Sequence, residues 1–248
     1  MSDNSSLLPQ DVHASWEPFL KETGYGLLER IAPQIFKGGA FTPESENMLR
    51  FLALDLDAVK VLILGQDPYP QPGVATGRAF EVGPLASWTS PFSNTSLRNI
   101  VRALYDARHN EKLTFKAIVA KLNSTPAEFN LMAPNALFEY WERQGVLLLN
   151  TSFSCEPGKP GSHAALWRPF THELLRYINR INPNICWLIW GNHAREAVAH
   201  ISPDKMLVSC HPMICHAREG DFLYGSINHF KATGELIDWI GNQRMSGD

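Results

Sequence analysis

Long apolar runs are missing from this 248-residue chain. The longest, at residues 59–64, 146–149 and 185–190, fall far short of the ~18 residues that cross a bilayer, so no membrane segment is expected. The amino terminus, MSDNSSLLPQDVHASWEPFL, lacks the basic and apolar regions of a secretory signal and the Arg-rich character of a transit peptide. A soluble, cytoplasmic protein is therefore expected. Cysteine is scarce, and Cys155, Cys186, Cys210 and Cys215 form no CxxC pair. That spacing argues against a zinc site or a disulfide framework and suits a reducing compartment. A basic excess is absent too: 22 Lys and Arg stand against 25 Asp and Glu, for a net charge of −3. No global positive field draws in a polyanion, so any contact with nucleic acid has to be local. A Gly-rich phosphate cradle, a metal-ligand cluster, an internal repeat and a Pro/Gly/Ser-rich linker are all missing. Neither a cofactor nor a metal is expected, and residues 1–248 read as one domain.

What is present is an ordinary globular composition, 44% hydrophobic, enough for one substantial core. The short apolar runs are rich in Val, Ile and Leu and end at Gly65-Gln66-Asp67-Pro68, at Asn150-Thr151-Ser152 and at Gly191-Asn192. A fourth, residues 206–210, stops at His211-Pro212. Such runs predict buried strands of a parallel sheet. Helical periodicity occupies 97–107, 134–144 and 169–181, with Thr95 or Ser96 as a cap for the first, and a further helix is predicted over 230–240. The stretch Thr42-Pro43-Glu44-Ser45-Glu46 reads as a capped helix start. Strand and helix thus alternate in an α/β fold, and the polar segments at the strand ends are expected to converge on one site.

The first of these segments places a carboxylate, an amide and a phenol directly after a strand, where rigid backbone can aim them. On turn chemistry alone, Asp67 is more often a turn residue than a catalyst. Asn150 reads equally well as a strand-end cap, Ser96 as an N-cap, and Phe80 as a core residue, as any one of the chain's 13 phenylalanines usually is. A His before Pro, as at His211, is by itself usually a loop residue.

The combination shifts that balance. Gly65-Gln66-Asp67-Pro68-Tyr69, Leu147 to Asn150 and His211-Pro212 resemble, in order, the three signature segments of family 1 uracil-DNA glycosylases. The first is highly specific, the second weak, the third nearly uninformative alone; their order is the strong signal. The similarity runs from about Trp16 to about Trp239 and includes Ser96-Leu97-Arg98-Asn99-Ile100 and Trp190-Gly191. It implies a three-layer α/β/α fold with a central, mainly parallel four-stranded sheet. It also implies a monomeric, metal-free, monofunctional enzyme that excises uracil flipped out of single- or double-stranded DNA, for base excision repair. Lys60, at a strand start, is no obvious Schiff-base nucleophile, so lyase chemistry is not expected.

The resemblance gives each matched residue a role. Asp67 orients or activates water and stabilises the cationic sugar, and His211 donates to O2 of the departing base. Asn150 reads the uracil edge, Phe80 stacks on the base, Tyr69 crowds C5, and Gln66 offers backbone contacts. Ser96, Gly191, Asn192, Pro212 and the backbone beyond it hold phosphates, with Arg218 as a cation. Departures are also visible. Met213-Ile214-Cys215-His216 replaces a Ser-Pro-Leu-Ser segment whose leucine wedges into the duplex; counting places Cys215 at the wedge, with Met213 and Ile214 as alternatives. Pro70 and Thr76 stand where the family often has histidines, 83–94 carries Trp88 and Phe92 in place of a proline-rich loop, and 217–228 is longer than usual. A DNA-mimic protein inhibitor is a family-level partner. Two rivals remain: a glycosylase of altered base preference, and a non-catalytic lesion-binding module, against which intact Asp67, Asn150 and His211 argue.

Overall fold

The computed structural model describes residues 7–125 and 128–241. Its sheet is built from β1 (Val61–Gly65), β2 (Val146–Asn150), β3 (Cys186–Trp190) and β4 (Lys205–Ser209), all parallel, in the order β2-β1-β3-β4. The helices are α1 (Glu17–Phe19), α2 (Tyr25–Lys37), α3 (Ser45–Met48), α4 (Thr95–His109), α5 (Phe115–Ser124), α6 (Pro134–Arg143), α7 (Ala164–Ile181), α8 (Asn192–Val198) and α9 (His229–Ala232).

Because successive strand residues point to opposite faces, the apolar runs feed two cores. Leu62, Leu64, Leu147, Leu149, Trp187 and Ile189 pack with Leu28 and Ile31 of α2 and with Trp167, Phe170 and Leu174 of α7. Val61, Ile63, Val146, Leu148, Leu188 and Trp190 pack on the other side with Leu97 and Ile100 of α4 and Leu137 and Trp141 of α6. The result is a three-layer α/β/α arrangement, and both Trp141 and Trp167 are core residues. Burying each such side chain contributes ~1.5–3 kcal/mol, so the two cores hold the strand ends in place. Every residue of β1, β2 and β3 is buried, whereas β4 is an edge strand with Met206 and Val208 exposed.

Several boundaries differ from the sequence-based expectation. The helix predicted over 230–240 ends at Ala232. Beyond it Leu236 N and Ile237 N close a turn on the Thr233 carbonyl, and the chain then bonds to the end of α6: Gln144 donates Nε2 to the Asp238 carbonyl and accepts from its N–H, and Trp141 Nε1 donates to the Trp239 carbonyl. Neither Thr95 nor Ser96 caps α4, since Asn94 holds the N-cap position and Ser96 lies buried in the first turn. Around residues 42–46, Thr42 instead pairs with Cys155 through two backbone hydrogen bonds, and α3 starts only at Ser45 without a side-chain cap. The helix expected from residue 169 starts at Ala164, with Pro169 inside it. Among the described residues, no helix is long and apolar enough to cross a membrane.

Candidate active site

At the carboxyl ends of the strands lies a cavity of about 350 Å³. Gln66, Asp67, Tyr69, Phe80, Ser96, Asn150, His211 and Met213 line it, with Arg78, Ala75 and Pro160 among the residues completing the wall. Of the other residues singled out from the sequence, Gly191, Asn192, Pro212, Ile214, Cys215 and Arg218 lie outside that lining.

The loop after β1 is immobilised by its own carbonyls. Gly65 O accepts from Thr151 N, Gln66 O from Ser152 N and from Thr151 Oγ1, Pro68 O from Cys155 Sγ, and Pro70 O from Gly158 N. Asn150 faces Gly65 in the register of β1 and β2 and is buried. A Cβ on Gly65 would collide with Asn150 Oδ1 and would meet the Ala79 Cβ at 3.0 Å. Glycine at 65 is therefore what lets the Asn150 amide lie across the end of β1.

Asp67 is half-buried, and its Oδ1 is buried with no hydrogen-bond partner among the described residues. Burial lifts its carboxyl above the ordinary carboxylate range; the charge of His193, the Gly161 N–H and the side chains of Gln66 and Ser152 work in the opposite direction. His211 is shifted down, by burial first and by the His193 charge second. Met213 N donates to His211 Nδ1 over 3.1 Å. Nδ1 is thus an acceptor, and the neutral ring carries its proton on Nε2. Gly191, at φ 89°, packs beneath that ring: a Cβ there would approach the His211 Cβ to 2.9 Å.

Phe80 sits in the left-handed region at φ 68°, an unfavourable backbone for a bulky residue. Its neighbours hold it there. Arg78 pairs with Glu142 of α6 at 2.5 Å and with Glu81 at 3.1 Å, and Glu81 also accepts from the Thr76 hydroxyl at 2.5 Å. Tyr69 donates its hydroxyl to the Phe80 carbonyl, and burial pushes that phenol up to about 12, so it stays protonated. The Phe80 ring lies 5.2 Å from Trp190 and 6.1 Å from His211. Thr76, the departure from the family pattern, is thus tied into a buried ionic network.

The loop after His211 is fastened only at its base. Asn99 Nδ2 donates to the Pro212 carbonyl at 2.6 Å, and Cys210 N donates to the Gly220 carbonyl. Met213 and Ile214 are 57% and 60% exposed, while Cys215 packs against the core with its thiol on the Pro212 carbonyl. Arg218 faces Asp221 at 3.9 Å. Sequence reasoning does not single out His193, Arg78 or Asn99. The available signals are adjacency for His193, which follows Gly191-Asn192, and helical spacing for Asn99, three residues beyond Ser96.

The fold and this cavity define a class: the chain belongs to the uracil DNA glycosylase superfamily, whose family model matches residues 53–231. The chain is 34% identical over 242 residues to Uracil-DNA glycosylase 1 of Listeria monocytogenes serotype 4b, a match covering 94% of this chain and 97% of that relative. It is 33% identical to Uracil-DNA glycosylase of Pseudomonas aeruginosa strain UCBPP-PA14, covering 97% and 95%. Among solved structures, the wild-type UNG crystal structure from Nitratifractor salsuginis matches with TM-score 0.67, 27% identity and 91% of each chain. Mimivirus UNG Y322L in complex with UGI shares the fold, with TM-score 0.66 at 22% identity over 94% of this chain and 85% of that one.

Proposed function

We propose that this chain acts as a monofunctional DNA glycosylase that hydrolyses the N-glycosidic bond of uracil flipped out of DNA, leaving an abasic site for base excision repair. One observation carries the mechanism: an unpartnered carboxylate oxygen on Asp67 and a neutral Nε2–H on His211 line the same cavity. As the C1′–N1 bond breaks, its electron pair leaves with the base. His211 Nε2–H then donates to O2, where negative charge gathers, and a neutral donor suffices because no full proton has to move. Asp67 stabilises the cationic sugar and accepts the proton of the water that adds to C1′.

Asn150 accepts from N3–H of uracil and donates to O4; cytosine offers the reversed pattern and leaves the buried amide unpaired, at ~1–3 kcal/mol per group. Phe80 stacks on the base, and the rigid Tyr69 ring excludes a C5 methyl group. Gln66 contributes backbone contacts to the base, and Ser96, Gly191, Asn192 and the Pro212 backbone hold the flanking phosphates, with Arg218 nearby as a cation. Exposure supports Ile214, with Met213 beside it, as the wedge that enters the duplex, in preference to the inward-packed Cys215. The chain works as a monomer of one domain in the cytoplasm, and a DNA-mimic protein inhibitor would have to cover Ile214.

The test is release of free base from single-stranded oligonucleotides bearing one uracil, thymine, hypoxanthine or 5-substituted uracil. Excision confined to uracil is the expected result. Binding without any release supports the lesion-binding rival, and release of another base supports altered preference.

A further inference from the structure

His193 has no part in the mechanism above, yet it connects the ends of three strands. It lies in the first turn of α8, directly after β3, and its Nε2 is 2.7 Å from Oγ1 of Thr151, which follows β2. Thr151 Oγ1 in turn donates at 3.0 Å to the carbonyl of Gln66, after β1. A carbonyl only accepts, so the single hydroxyl proton of Thr151 is committed to Gln66, and His193 Nε2 has to be the donor to Oγ1. The bonds run one way, from His193 through Thr151 to the peptide that joins Gln66 to Asp67. We propose that His193 is a positioning residue for excision, fixing the Asp67 carboxylate in the cavity through the Thr151 hydroxyl.

A second observation joins the first. The charge of protonated His193 acts on both reacting groups, favouring ionised Asp67 and neutral His211, the two states that excision needs. His193 also borders a separate cavity of about 400 Å³ whose charged and titratable walls are Arg168 and His172 of α7, Glu196 of α8 and His200 just beyond it. The ring is thus a wall of that second cavity and is tied to the loop after β1 by one hydroxyl.

The experiment measures kcat, KM and the pH profile of kcat/KM on a single-stranded uracil oligonucleotide for wild type, His193→Phe, His193→Gln and Thr151→Val. His193→Phe and Thr151→Val are each expected to lower kcat about tenfold with KM nearly constant, the size of effect a modest misplacement of a reacting group produces. Gln can donate its amide to Thr151 Oγ1, so His193→Gln restores most of kcat. It carries no charge, so the acid limb of its profile stays displaced to higher pH: loss of a nearby cation raises the pKa of Asp67 and of His211. Wild-type kcat in both His193→Phe and Thr151→Val overturns the inference. So does a Gln variant no better than Phe, or one whose acid limb superimposes on wild type. The inference rests on the reading of Asp67 as the reacting carboxylate. Wild-type turnover by Asp67→Asn refutes that reading, whereas an inactive Asp67→Asn beside a fully active His193→Phe refutes this inference alone.

Discussion

The loop after β1 and the loop after β4 border the same cavity and are built in opposite ways. From Gly65 to Pro70, the carbonyls of Gly65, Gln66, Pro68, Tyr69 and Pro70 all accept a hydrogen bond from a neighbouring segment. From His211 to Cys215 the chain is held at its base by Asn99 and by the Cys210–Gly220 pairing, and its tip presents Met213 and Ile214 to solvent. On the proposed mechanism the difference follows from what each loop would handle. Bond breaking at one carbon requires a carboxylate fixed to a fraction of an ångström, whereas a side chain that enters DNA meets a surface that changes with every step. On that mechanism rigidity is concentrated where charge would develop, and apolar exposure where the strand would be received.

Substitutions on the two sides should therefore have different signatures. Outside the reacting groups themselves, the largest effect is expected from Gly65→Ala, which drives a methyl group into Asn150 Oδ1 and Ala79. It should lower kcat/KM by ~100-fold on single and double strands alike, since a shift of about 1 Å in a reacting group has that cost. Equal loss on both substrates, measured by uracil release, is the mark of the rigid side. Ile214→Ala should lower excision from duplex about tenfold and leave single-stranded turnover within about twofold, because only a duplex has to be unstacked. An equal loss on both substrates would make Ile214 a general binding residue and erase the contrast between the loops.

The smallest effect concerns stability. Burial raises the Asp67 pKa in the folded chain, so ionised Asp67 opposes folding. The sign follows from linkage: the protonated carboxyl favours the folded state below the unfolded pKa, and that contribution is lost as pH rises through the folded pKa. Asp67→Asn should raise Tm at neutral pH by ~2 °C, on the scale of one unsatisfied group of about 1 kcal/mol. The gain should shrink as pH falls into the ordinary carboxylate range. A lower Tm at pH 7 would mean that Asp67 is held by contacts that stabilise its charge.

How much of this was legible before the fold was seen depended on how local the signal was. The four strands could be read because each is a short Val/Ile/Leu-rich run bounded by turn residues, and the sheet keeps such runs intact. The strand ends that meet in the cavity, Asp67, Asn150 and His211, were legible through their motifs. The segment after Ala232 was not, because its apolar spacing suits a helix while the backbone of Asp238 and Trp239 bonds to Gln144 and Trp141, about a hundred residues earlier. The inward turn of Cys215 depends on packing against the second core, which spacing from His211 does not encode. His193 escaped for a similar reason: its partner Thr151 is 42 residues away, and neither residue carries a motif of its own.

The most direct test of the central claim is single-turnover release of uracil from a labelled single-stranded oligonucleotide by wild type and Asp67→Asn, with binding of the same strand followed by fluorescence anisotropy. The account predicts that the two bind within a few-fold of each other while the excision rate falls by ~1,000-fold, since a positioned base and charge stabiliser is lost and the pocket is kept. Excision by Asp67→Asn at the wild-type rate would contradict it.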